Sequence, residues 1–179
     1  YITPEKRDAL RHILTARSFS LLVPCTQGRS ALQIKRVESR LVRAQQAFAI
    51  HDFRSTRLIL DSMIADRINT RPGDLSLDFY VQEAWLRANI GDTARAVGQL
   101  DRALGALGAM SAGAMKEPGS AAALGRAMIL RAELAAKTGD TGSANQWTTA
   151  ADQLYLGADR PLRKSVDTLK VLVRAAQNH

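Results

Sequence analysis

The chain has 179 residues, of which 46% are hydrophobic and only 5% aromatic, and its 25 Lys and Arg residues against 17 Asp and Glu residues give a formal net charge of +8. This length allows one domain with a substantial core, and no apolar stretch approaches the roughly 20 residues that a membrane-spanning helix requires. The single cysteine, Cys25, excludes an internal disulfide framework and leaves the compartment, cytoplasmic or periplasmic, open.

The first part of the chain predicts two helices. Pro4 is suited to the first position of a helix over residues 4–22, which ends before Pro24. Ser30 is then expected to cap a second helix over residues 30–48. The apolar positions of this second helix, at helical spacing, are Leu32, Ile34, Val37, Leu41, Ala44 and Phe48.

The positive charge is concentrated in the same part of the chain. Residues 1–71 contain 13 Lys and Arg against 6 Asp and Glu, whereas residues 72–179 contain 12 against 11. Such an excess suits an acidic protein, a nucleic acid or an anionic membrane surface, and a solvated helix face is the alternative. The candidate basic patch consists of Lys35, Arg36, Arg40 and Arg43.

Short turns separate the remaining predicted helices, and no segment alternates with the two-residue period of a strand. The third helix is expected to bury Leu60, Met63 and Ile64. A last helix, beginning near residue 160, has a stripe formed by Leu162, Val166, Leu169 and Val173. The predicted helices from the third to the last cover residues 53–68, 75–90, 93–110, 120–138, 141–157 and about 160–179.

A spacing of small residues around the turns recurs along the chain. A small residue in one helix is followed by a Gly-Asp turn and then by two small residues in the next helix, which lets antiparallel helices approach closely. One copy has Ala84, Gly91-Asp92, Ala96 and Ala103, a second has Ala132, Gly139-Asp140, Ala144 and Ala151, and a decayed copy has Ala44, His51-Asp52, Thr56 and Met63.

These units resemble the tetratricopeptide repeat over roughly residues 35–156. They lack that family's large aromatics in the first helix and its proline after the second, and they begin about 40 and 48 residues apart. The resemblance implies an all-α solenoid of α-α hairpins, with about seven to eight helices and capping helices at both ends. The expected organisation is a single domain, 1–179, with a capping helix and loop at 1–30, three hairpins at 31–157 and a capping helix at 158–179.

The resemblance also implies a binding groove, because in that family the first helix of each hairpin lines a concave surface for a peptide or a partner helix. Trp85 is the candidate aromatic anchor of this groove, but a Trp in a helix is more often part of the core, and the sequence leaves both possibilities open. Trp147, in the second helix of its unit, is expected to pack in the core. The candidate groove residues are Glu38, Gln45, Phe48, Asp78, Val81, Trp85, Asn89, Arg126, Ile129, Glu133 and Lys137.

The sequence predicts no catalytic, cofactor or metal site. His12, His51 and His179 lie far apart without acidic or Cys residues at metal-ligand spacing, and His51 is expected in a surface turn. Nothing near Cys25 marks it as a nucleophile.

We therefore expect a non-catalytic protein-interaction scaffold or adaptor whose partner has an acidic surface. Two alternatives remain open. One is an extrinsic structural subunit of a large, membrane-associated assembly such as a respiratory or photosynthetic complex, with peripheral contact to the membrane. The other is nucleic-acid binding through the basic N-terminal third.

Overall fold

The computed structural model describes residues 29–67, 75–106, 118–156 and 160–177. In these residues the chain forms seven helices and no strand, which confirms the predicted all-α class. The predicted helix over residues 4–22 lies outside the described residues. The helices are α1 (Arg29–Ala49), α2 (Phe53–Arg67), α3 (Leu77–Asn89), α4 (Thr93–Ala106), α5 (Pro118–Lys137), α6 (Thr141–Leu154) and α7 (Arg160–Gln177).

Backbone contacts divide the chain into two compact units, and the boundary between Gln99 and Leu100 lies inside α4. We call the described residues 29–99 the N-terminal unit and the described residues 100–177 the C-terminal unit. In the N-terminal unit, α1 packs against α2 and α3, and α2 also contacts α3. In the C-terminal unit, α5 packs against α6, and α7 packs against both. The expectation of one domain over residues 1–179 stays a prediction.

The turns after α1, α3 and α5 have the same left-handed backbone conformation. The φ angle is 61° at His51, 81° at Gly91 and 77° at Gly139. In each turn the amide of the next residue, an aspartate, donates to the carbonyl five residues earlier at 2.8–2.9 Å. The amide of the left-handed residue donates to the carbonyl three residues earlier. This Schellman arrangement satisfies the last carbonyls of a helix, so the helices break at the three predicted turns.

The small residues on either side of these turns are buried. Three alanines are fully excluded from solvent, each five residues before the end of its helix: Ala44 in α1, Ala84 in α3 and Ala132 in α5. Small side chains at such positions let neighbouring helix backbones approach closely. The corresponding positions after the turns are buried as well: Thr56, Ala96 and Ala144, and then Met63, Ala103 and Ala151.

Some helix boundaries differ from the prediction. Helix α1 begins at Arg29, so Ser30 lies inside the helix instead of capping it. Helix α3 begins at Leu77 rather than near residue 75, because the hydroxyl of Ser76 accepts a hydrogen bond from the amide of Phe79 and caps the helix. Helix α5 begins at Pro118, before the predicted start near residue 120, and α6 ends at Leu154, before the predicted end near residue 157.

Two residues expected in the core are exposed. The prediction for Leu32 is wrong: Ile34 is buried, and two residues along a helix rotate a side chain to nearly the opposite side, so Leu32 faces solvent. Ile64 is exposed because Leu60 and Met63 already form the buried stripe of α2 and Ile64 lies at its edge. The other apolar positions predicted for α1 before Phe48 are buried, and Phe48 is half-buried.

Helix α7 packs against α5 and α6 through three of the four residues of the predicted apolar stripe; the side chain of the fourth, Leu162, lies outside the described part of the chain. Val166, Leu169 and Val173 are buried, and Leu169 and Val173 join the alanines of α5 and α6 in one cluster. Trp147 is partly buried against the same cluster, in agreement with the packing role predicted for it.

Asp152 in α6 accepts hydrogen bonds from Arg163 and Lys170 of α7, each at 2.9 Å. The hydrogen bond from the Lys170 ammonium, together with the nearby charges, lowers the pKa of Asp152 below its ordinary value. The carboxylate therefore stays ionised and links α6 to both basic side chains.

Candidate binding surface of the N-terminal unit

Arg87 is completely buried and joins α2, α3 and the turn after α3. Its Nε donates to Glu83 Oε1 at 2.9 Å, and its Nη2 donates to the carbonyl of Leu60 at 2.8 Å. Its Nη1 donates to Asp92 Oδ2 at 2.9 Å and to Asp61 Oδ1 at 3.2 Å. Burial disfavours the charged guanidinium and by itself would lower the pKa of Arg87. The hydrogen bonds and charges of Glu83, Asp61 and Asp92 have the larger combined effect, so the pKa of Arg87 is raised.

This network was not expected from the sequence. The i, i+4 spacing of Glu83 and Arg87 indicates a helical ion pair, but such pairs usually lie on the surface. Asp61 lies within α2 and also accepts a hydrogen bond from Arg95 at 2.6 Å. The network joins α3 to α2 through two hydrogen bonds of Arg87.

The open side of α1 and α3 carries a polar ladder. The Nε2 of Gln45 in α1 donates to Oε1 of Gln82 in α3 at 2.5 Å, and Gln82 in turn donates to Asp78. Two of the predicted groove residues, Gln45 and Asp78, are thus brought together through Gln82, which is not among the predicted groove residues. Further along α3, the side chain of Asn89 donates to the carbonyl of Trp85 at 2.8 Å.

An exposed aromatic cluster follows the ladder at the end of α1. Trp85 is 46% exposed, and its ring packs edge-on against Phe48 with centroids 5.3 Å apart. Phe48 contacts Phe53 at 5.5 Å, and Phe53 contacts His51 at 5.9 Å. Phe53 is 47% exposed and the neighbouring Ile50 is 76% exposed. We call the four residues around the turn after α1, namely Phe48, Ile50, His51 and Phe53, the aromatic turn. Trp85 therefore lies at the surface and not in the core.

The other predicted groove residues have different surroundings. Glu38 is exposed on α1, whereas Val81 is buried, so its assignment to a groove is wrong: it lies on the core side of α3. Arg126 and Lys137 are exposed on α5. Glu133 is half-buried between them on that helix, and burial raises its pKa despite the charge of Lys137. These three belong to the C-terminal unit, and a groove shared with the N-terminal unit stays a prediction.

The predicted basic patch occupies two sides of α1. Arg36, Arg40 and Arg43 are spaced by four and three residues and share one side, while Lys35 lies a quarter-turn or more away. Lys35, Arg36 and Arg43 are exposed. The Nη1 of Arg40 donates to the carbonyl of Ser62 in α2 at 2.9 Å, so Arg40 also links the first two helices.

Within the described ranges, no group of three or more His, Cys, Asp or Glu side chains is arranged to hold a metal ion. His12, Cys25 and His179 lie outside those ranges. None of the helices in the described residues is long and apolar enough to cross a membrane. Comparison of the chain with protein-family models, curated proteins and solved structures gave no match.

Proposed function

We propose that this chain is a non-catalytic protein-interaction module of the tetratricopeptide type, and that the side-by-side helices α1 and α3 present its binding face. The observation that carries this proposal is the half-exposed Trp85 on α3, packed against Phe48 on α1. Large aromatic side chains that remain open to solvent on an ordered helix surface are typical anchors of protein interfaces.

Two features support helical hairpins of this type. The turns at His51, Gly91 and Gly139 share one backbone conformation and one hydrogen-bonding pattern. The small residues at equivalent spacing before and after these turns are buried. In such hairpins the first helices of successive units lie next to one another, and α1 does contact α3.

The chemistry of the face suits a peptide or a partner helix. Trp85 and Phe48 offer apolar area, and the ladder of Gln45, Gln82 and Asp78 offers amide and carboxylate groups beside it. Ordered polar groups next to an aromatic anchor provide specificity without requiring a deep cavity. The basic residues of α1 favour a partner with an acidic surface.

The proposal is tested by comparing Trp85→Ala with the native chain in partner capture and in thermal unfolding. We expect a binding loss of more than about 1 kcal/mol for an anchor, with a stability loss well below the roughly 3–5 kcal/mol of a core tryptophan, because the ring is already half in solvent. Val171→Ala is the matched control, since Val171 is an exposed apolar residue of the C-terminal unit.

Capture of the same partners at the same yield by both variants would contradict the proposal. Repeating the capture at high salt distinguishes an adaptor from a permanently bound structural subunit, because only the latter is expected to retain its partner under those conditions.

A further inference from the structure

The aromatic turn differs from the two other turns that have the same backbone conformation. At the first turn, positions 48, 51 and 53 are Phe, His and Phe, and the ring of Phe53 contacts the rings of both Phe48 and His51. The later turns form the same hydrogen bonds with small residues at the same positions, so the turn itself requires no ring there. The equivalent residues are Ala88, Gly91 and Thr93 at the second turn and Ala136, Gly139 and Thr141 at the third.

The left-handed residue is a further difference between the three turns, because the first turn has His51 where the other two have glycine. His51 is the one non-glycine residue with positive φ among the described residues, and a side chain in the left-handed region carries a conformational cost that Gly91 and Gly139 avoid. The His51 ring is exposed and contacts Phe53 edge-on. A strained residue that adds an aromatic ring at an exposed turn indicates a binding surface.

The surroundings of the aromatic turn are basic. Arg54 is exposed beside Phe53, and Arg57 lies one helical turn further along α2, where its Nη2 donates to the carbonyl of Ile90 at 3.0 Å. The nearby acid, Asp52, accepts a hydrogen bond from the amide of Ser55 as the cap of α2. Hydrogen bonds from the side chain and the amide of Ser55 lower the pKa of Asp52. An apolar surface with a rim of arginines complements an acidic segment that also carries an apolar side chain.

We propose that the aromatic turn is a docking surface for an acidic protein segment with an aromatic or aliphatic anchor, and this inference rests on the proposed function. The anchor packs on Phe53 and Ile50, and the acidic groups lie next to Arg54 and Arg57. A second copy of this chain fits less well, because a symmetric contact through this turn brings the same arginines face to face. A nucleic acid matches the charge but offers no apolar anchor for Ile50.

The test uses the full chain and a displayed library of short random peptides, followed by affinity measurement with the selected peptides. We expect selection of acidic sequences with an aromatic or aliphatic residue. Phe53→Ala and Arg54→Glu should each weaken their binding roughly tenfold, the range typical of an interface anchor. Leu58→Ala is the matched control, since Leu58 is 62% exposed on the same helix outside the aromatic turn, and it should bind as the native chain does.

His51→Gly gives a readout that a purely structural role would not. Relief of the left-handed conformation should raise the melting temperature by about 2–4 °C, whereas loss of the ring should weaken peptide binding severalfold. A more stable variant that binds as tightly as the native chain would overturn the role of His51 in docking.

Other outcomes separate the inference from the proposed function. Selected peptides that require Trp85 but tolerate Phe53→Ala and Arg54→Glu would overturn the aromatic turn as the docking site while leaving the proposed function in place. A selection that enriches no sequence, or enriches basic ones, would overturn the acidic-segment inference. A DNA oligonucleotide or an anionic lipid vesicle whose binding shows the same variant sensitivities would overturn the commitment to a protein segment.

Discussion

Arg87 shows how a buried charge can be part of the core of this protein. Its guanidinium donates to Glu83, Asp61, Asp92 and a backbone carbonyl, so its charge and its donors are largely satisfied inside the N-terminal unit. Removing water from such groups costs several kcal/mol. The attraction between the guanidinium and the carboxylates offsets this penalty only while every partner is present. The network therefore stabilises the native arrangement chiefly because breaking it would leave buried charges uncompensated.

We expect Arg87→Ala to lower the free energy of unfolding by about 3–5 kcal/mol, because the buried Glu83 carboxylate would lose the guanidinium that offsets its charge. Arg95→Ala is the matched control: Arg95 also binds Asp61, but its side chain is half exposed, and its loss should cost less than about 1 kcal/mol. Urea denaturation of the three proteins measures both values. Equal losses in the two variants would mean that burial of Arg87 has little energetic consequence.

At the scale of helices, one glycine is needed for packing and another is not. Gly125 in α5 lies against the buried Tyr155, and a Cβ at Gly125 would be 1.7 Å from the tyrosine hydroxyl. Burial of that phenol raises its pKa. Gly98 in α4 has no neighbouring atom within 4 Å of the position of a Cβ. The same substitution should therefore have opposite effects at the two sites.

Gly98→Ala should stabilise the protein by about 0.5–1 kcal/mol, since alanine loses less backbone entropy in a helix. Gly125→Ala should destabilise it by about 1–3 kcal/mol, because Tyr155 has to leave its position and the core around it is overpacked. Chemical denaturation of both variants provides the measurement. A stabilising Gly125→Ala would show that Tyr155 can move without loss of packing.

At the scale of the whole chain, the excess of positive charge in residues 1–71 is expected to control association with an acidic partner. Arg36 and Arg43 are the appropriate positions for a test because both are exposed on one side of α1, whereas Arg40 also binds the carbonyl of Ser62. Substitution of Arg40 would also remove a contact between α1 and α2, so a change in binding could not be separated from a change in stability.

We expect the double substitution Arg36→Glu and Arg43→Glu to weaken partner binding and to reduce its dependence on salt concentration, because long-range attraction between exposed charges is screened by salt. Lys164→Glu in α7 changes an exposed charge in the C-terminal unit and is the control. Unchanged affinity at low salt would assign Arg36 and Arg43 to a solvated helix face. Affinity measured over a series of salt concentrations separates the two results.

The sequence by itself determined the features that depend on neighbouring residues. Gly91-Asp92 and Gly139-Asp140 predict where helices break, because glycine adopts the left-handed conformation and the next residue can cap a helix. The spacing of Ala44, Ala84 and Ala132 from these turns identifies buried positions, since helical periodicity places them on the inner face. These features follow from local geometry and need no information about distant parts of the chain.

Only the tertiary structure decided which distant side chains meet. Arg87 and Asp61 are separated by 26 residues, and Gln45 and Gln82 by 37, so no local pattern connects them. Periodicity placed Trp85 on a helix face, but whether that face is covered depends on how α1 lies against α3. A helix pattern defines the direction of a side chain relative to its own axis, while burial depends on the neighbours that the fold brings to it.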